Sequence, residues 1–214
     1  MENNNQSITD APKFSASLKY LKETTITFFK NPTDGIYSIF QNKPEKAFNH
    51  FLILYAFVFI LYFTGFYIIT ILSDMKIRYI KFESALAFSL FPIILMFIVS
   101  SLSFGCKSIH GKLSFKNELI TGGICGIPLS LVILLFISVT LIDPIKDIWV
   151  FILEIYRIGF IVGIFLFYIV LLVLTVIQQS LKASGVNSSL SWYLSPLIYL
   201  FSMYLTFKII VRLF

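Results

Sequence analysis

Five stretches of this chain contain no Asp, Glu, Lys or Arg: residues 47–73, 84–103, 119–142, 158–179 and 186–207. A bilayer has a hydrocarbon core of about 30 Å, which a helix of about 20 apolar residues crosses. All five stretches are long enough. Lipid offers no hydrogen-bond partner to a backbone amide, so a spanning segment is a helix or part of a closed barrel. Apolar residues here run on without alternating, which removes the barrel reading. The expected fold is all-α: a polytopic membrane bundle with five transmembrane helices at about 47–73, 84–104, 119–142, 155–179 and 188–210.

Composition closes off the other classes. Of the 214 residues, 57% are hydrophobic and 13% charged, against about 25% charged in a typical soluble domain. A soluble chain of this length would bury only about 70% of its unfolded surface, too little to hide so many apolar groups. Disordered segments are poor in the 24 Phe and 11 Tyr found here. The net charge of +6 comes from basic residues scattered over the tail and loops, with no dense basic run. That pattern fits membrane topology and anionic headgroups, and nucleic acid is not expected as a partner.

Ahead of the spans lies a tail that Pro32 divides. Residues 1–12 are polar and read as disordered, and residues 13–46 read as an amphipathic interfacial helix pair. Phe14, Leu18, Leu21, Thr25 and Phe28 recur at steps of four and three, one face of a helix. Asn31-Pro32 ends it. Ile36, Ile39 and Phe40 mark a second short helix, which stops near Asn42-Lys43-Pro44. Such a pair is expected to lie in the headgroup plane with its apolar face down; the alternatives are a solvated extension or a helix packed on another protein.

Five spans place the two ends of this region on opposite sides. Counting the basic residues near the spans, Lys107, Lys112 and Lys116 of the 105–118 loop among them, gives no majority for either side. The first 48 residues contain no apolar segment of the signal-peptide kind, and the N-terminus is therefore expected in the cytoplasm. The two cysteines, Cys106 and Cys125, allow at most one bridge and define no disulfide framework.

Within the spans, Pro92, Pro128 and Pro196 each remove a helix hydrogen bond and are expected as kinks. Gly122 with Gly126, and Gly159 with Gly163, have the spacing at which membrane helices approach closely. They are expected as helix-packing positions, within the chain or between copies. Glu154 and Arg157, three apart at the margin of the fourth span, suit an interfacial pair, and His50 stands at the mouth of the first.

No catalytic set emerges. Cys106 and His110 have i, i+4 spacing, but zinc needs three or four ligands, and the other histidine is the distant His50. No phosphate-binding loop, G-x-S-x-G or HExxH motif is present. The span interiors hold no Asp, Lys or Arg to serve intramembrane proteolysis. Neither enzymatic activity nor a cofactor or metal is expected.

Three stretches carry a family resemblance. Phe29-Lys30-Asn31-Pro32 with Ile36 and Phe40 resembles an Asn-Pro segment ahead of a first span. Gly111-Lys112-Leu113-Ser114-Phe115-Lys116, followed by Pro128, resembles a "G-x-x-S-F" loop entering a proline-bearing third span. Leu181-Lys182-Ala183 resembles a short stretch before the last span. These features, from about Phe28 onward, are similar to the Yip family of five-span membrane proteins, whose eukaryotic members interact with Rab GTPases. The resemblance marks Asn31, Pro32, Gly111, Ser114, Phe115 and Pro128 as motif positions. It implies a cytosolic N-terminus and a role in membrane organisation or trafficking through protein and lipid contacts. The tail here lacks an acidic or aromatic recognition segment, and the Lys, Asn, Ile and Phe bias suits an AT-rich genome and a bacterial inner membrane. The expected partners are the bilayer and a second copy or another membrane protein. The competing expectations are a small transporter or channel, with Ser89, Ser130, Tyr199 or Ser202 as polar contacts, and an accessory subunit of a larger complex.

Overall fold

The computed structural model describes residues 11–41, 47–72, 81–109, 115–142 and 148–214, with side chains omitted at 11–16, 47–50, 117, 142 and 148–158. Among the described residues there are seven helices and no strand. They are α1 (Ala11–Lys30), α2 (Asp34–Gln41), α3 (Ala47–Leu72), α4 (Phe82–Ser108), α5 (Phe115–Ile142), α6 (Ile148–Ala183) and α7 (Ser188–Leu213). Helices α3 to α7 each contain 22 to 27 residues apolar enough to cross a bilayer. Their outward faces carry large apolar side chains that water would not tolerate, among them Ile60, Ile71, Phe160, Phe167 and Leu197, all more than half exposed.

The five long helices alternate in direction, so the start of α3 shares one end of the bundle with the close of α4, the start of α5 and the α6–α7 turn. This is the tail end of the bundle. Helix α4 packs on α3, α5 and α7, and α5 packs on α3, α4 and α6, while α6 and α7 close the far flank. The α6–α7 turn is short because its chemistry is complete. Gly185 takes a φ of +88°, a conformation that costs glycine nothing. It allows Gly185 N–H to reach the Lys182 carbonyl and Val186 N–H the Leu181 carbonyl, closing α6. Asn187 then accepts from the Ser189 amide at 2.9 Å and opens α7.

Asn31 and Pro32 both end one helix and begin the next. The Asn31 amide donates to the Thr27 carbonyl, the last bond of α1. Its side-chain oxygen accepts from the Thr33 amide at 3.3 Å and the Asp34 amide at 3.0 Å. The Asn31 carbonyl accepts from the Gly35 amide at 3.0 Å, so Asn31 caps the turn through Pro32 and Thr33 that leads into α2, and proline there has no N–H to leave unsatisfied. The α1–α2 pair then docks on the bundle. Phe28, Ile36 and Phe40 are buried and join one continuous core with Phe51, Leu95 and Val176.

The buried face of α1 differs from the expected stripe. Ser17, Thr24 and Phe28 are buried, with Tyr20 and Leu21 partly so. Leu18 turns outward with Ile26 and Phe29. The reason is contact with α3, where the Tyr20 ring meets Phe51 edge-on at 6.3 Å. A stripe through Leu18 would rotate Tyr20 off that surface. Of the tail read as disordered, Ala11 and Pro12 open α1, and residues 1–10 lie outside the described residues, as does the stop near 42–44.

Candidate functional site

The charge-free criterion ended the second stretch at residue 103 and left Lys107 and Glu118 in a connecting loop. Both are helical and wholly buried. Helix α4 runs on through Ser108, and α5 starts at Phe115. Phe115 anchors that entry between Phe97 and Phe104, edge-on to both. The Lys107 ammonium meets Glu118 Oε2 at 2.5 Å and donates to Ser180 Oγ on α6 at 2.6 Å. Thr121, one turn after Glu118, donates to the same carboxylate oxygen at 3.3 Å and lies 2.6 Å from Ser180 Oγ. The ring of Phe40 on α2 stands 5.8 Å from the ammonium, within cation–π reach. Four helices thus meet at one charge pair. Glu118 Oε1 and Ser103 Oγ are buried without a hydrogen-bond partner among the described residues.

A second polar junction lies deeper. Gly122 comes so near α4 that an added Cβ would collide with the Met96 carbonyl, Ser100 Oγ and the Tyr55 hydroxyl. The approach lets the Gly122 amide donate to Ser100 Oγ at 2.9 Å. Tyr55 lies 3.4 Å from Ser100 Oγ and donates to the Leu119 carbonyl at 3.3 Å. Gly126 faces Met96 and Val58. Gly163 differs from both: a Cβ there would meet nothing within 4 Å, and the residue sits on the exposed face of α6 with Phe160 and Phe167. Gly159 is partly exposed on the same helix.

The three prolines sit inside helices α4, α5 and α7. Pro196 deprives the Trp192 carbonyl of its usual donor, and the Ser195 hydroxyl supplies one at 3.2 Å. Pro92 lines a cavity of about 910 Å³ that extends toward the end opposite the tail. Leu95, Leu129 and Val173 line it at mid-span, and Lys81, Glu83 and Ser84 line it at the start of α4. Tyr62 also borders it, but donates its hydroxyl to the Leu129 carbonyl at 2.7 Å.

Of the hydroxyls considered as solute contacts, Ser89, Ser130 and Ser202 donate to Ala85, Gly126 and Ile198 of their own helices at 2.6, 2.8 and 2.7 Å. Tyr199 borders the cavity. Among the described residues no three of His, Cys, Asp and Glu come together as a metal-binding set. The side chains of His50, Glu154 and Arg157, and residues His110, Gly111 and Ser114, lie outside the described residues. Outside the spans, burial raises the Tyr20 hydroxyl above its ordinary pKa of 10.0, opposed by a hydrogen bond with Thr24.

Fold and surface together define a multi-pass integral membrane protein. No family model, curated protein or solved structure matches the chain. Sequence reasoning missed the Lys107–Glu118 pair, because any charge counted there as the end of a span. A usable signal was present: Glu118 and Thr121 are three apart, and Ser103 and Lys107 four apart, so each pair shares one helix face.

Proposed function

We propose that the chain is a non-enzymatic membrane protein that works through contacts with lipid and with other membrane proteins, in the membrane-organising manner implied by its resemblance to the Yip family. The observation that carries this reading is the chemistry of the large cavity. Its walls are mostly hydrocarbon and aromatic, and its charged lining residues, Lys81 and Glu83, stand at the start of α4. A path for a water-soluble solute needs polar contacts at mid-depth. Here Ser89, Ser130 and Ser202 lie outside the lining and donate to their own helix carbonyls, Tyr62 donates to Leu129, and Tyr199 is the one further hydroxyl at that depth among the lining residues. The buried ion pair supports the same reading, since Lys107 and Glu118 neutralise one another and hold four helices together.

The test is reconstitution of the purified protein in vesicles, with solute uptake measured alongside cross-linking in lipid. Absence of saturable uptake together with a cross-linked partner or second copy supports the proposal. Saturable flux of a water-soluble solute overturns it in favour of transport.

A further inference from the structure

We propose that the cavity between α4, α5, α6 and α7 holds one phospholipid of the leaflet opposite the tail end, its acyl chain against Leu95, Leu129 and Val173 and its zwitterionic head group at Lys81 and Glu83. This rests on the reading of the chain as a protein that works through lipid contacts. A volume of about 910 Å³ lies near the top of the range for small-molecule sites, about 300–1,000 Å³. Away from Lys81, Glu83 and Ser84 its lining offers the hydroxyls of Tyr62 and Tyr199, too few to fill it with ordered water, which needs two to four polar partners per molecule. Left empty, it would forfeit dispersion contacts along its whole lining. The apolar solvent at hand is lipid.

Depth selects the occupant. On α4 the lining runs from Lys81 to Leu95, about 21 Å at the helical rise of about 1.5 Å per residue. One leaflet has about 15 Å of hydrocarbon beneath a headgroup layer of several ångströms. The cavity therefore matches one lipid from head to tail, and its charged residues fall at the headgroup level.

Charge selects the head group. Lys81 and Glu83 are exposed and make no ion pair among the described residues. Two residues apart, they offer a cation for a phosphate and a carboxylate for an ammonium. An anionic head group would satisfy Lys81 and be repelled by Glu83. A phosphoethanolamine head group carries both complementary charges, and its ammonium is a strong donor.

The experiment uses the full chain in vesicles of equal phosphatidylethanolamine and phosphatidylglycerol, the ethanolamine lipid carrying a photoactivatable acyl chain. After irradiation, mapped adducts on Leu95, Leu129 or Val173 support the site. Adducts confined to the outer face of α6, at Phe160 or Phe167, overturn it. Mass spectrometry of the gently extracted protein should show one retained phosphatidylethanolamine. Glu83→Gln should lower its preference over phosphatidylglycerol about fivefold, the effect of one charge at a membrane surface. An unchanged ratio overturns the headgroup assignment. Ala87→Trp, which fills the cavity, should abolish retention, with Ile161→Trp on the outer face as control; equal retention in both overturns the site. The photolabelling uses the unaltered chain and decides the matter even if Ala87→Trp does not fold. Flux with lipid adducts in the cavity would overturn the functional reading and leave the site standing. Adducts elsewhere without flux would do the reverse.

Discussion

Lys107, in the last turn of α4, and Glu118, in the first turn of α5, stand 2.5 Å apart and are both fully shielded from solvent. The cation lies at a helix C-terminus and the anion at a helix N-terminus, so each also complements the local backbone dipole. Ser180 ties the pair to α6, and Phe40 covers it from α2.

Removing one partner strands the other charge at membrane depth. Lys107→Met is expected to lower stability by about 3–5 kcal/mol, the usual cost of breaking a buried pair. Adding Glu118→Leu removes the stranded carboxylate and should recover most of that loss. Unfolding in mixed micelles across this double-mutant cycle checks it, and a single-variant cost below about 1 kcal/mol would contradict a buried pair.

The glycines divide by environment. Gly122→Leu places a side chain into the Met96 carbonyl and Tyr55 hydroxyl, and should cost about 1–3 kcal/mol or more through overpacking. Gly163→Leu meets nothing in its own chain and should leave the unfolding midpoint unchanged. If a second copy docks on α6, Gly163→Leu lowers the cross-linked dimer without altering stability. Thermal unfolding and cross-linking of both variants separate fold from association.

Asn31 holds the α1–α2 hinge through its side-chain oxygen. Asn31→Ala should destabilise the start of α2 by about 1 kcal/mol, the usual worth of an N-cap. The readout is faster amide exchange at Thr33 and Asp34, with exchange within the spans unchanged.

Tyr62 bridges α3 to the Leu129 carbonyl next to Pro128. Tyr62→Phe keeps the ring and loses one interhelical hydrogen bond, so a loss of about 0.6–1 kcal/mol is expected. Its packing against Phe88, with ring centroids 5.5 Å apart, should survive, and near-ultraviolet circular dichroism of the variant checks that.

Hydropathy alone determined that the chain is helical, that it threads the bilayer and that it does so five times, because lipid accepts only backbone that satisfies itself. Asn31-Pro32 was legible as a helix stop for the same local reason, though not as the cap of the next helix. Tertiary structure decided what depends on which faces meet. Charge at Lys107 and Glu118 signals water when read along the chain, and only the convergence of α2, α4, α5 and α6 turns it into a buried pair. Gly122 and Gly163 belong to the same spacing pattern, yet one lies against α4 and the other on the outer face of α6. Leu18 has the character of a core residue, but the Tyr20–Phe51 contact rotates it outward. Segment character follows from transfer free energy, which is local. Partner choice follows from shape and orientation, which exist only once the helices are assembled.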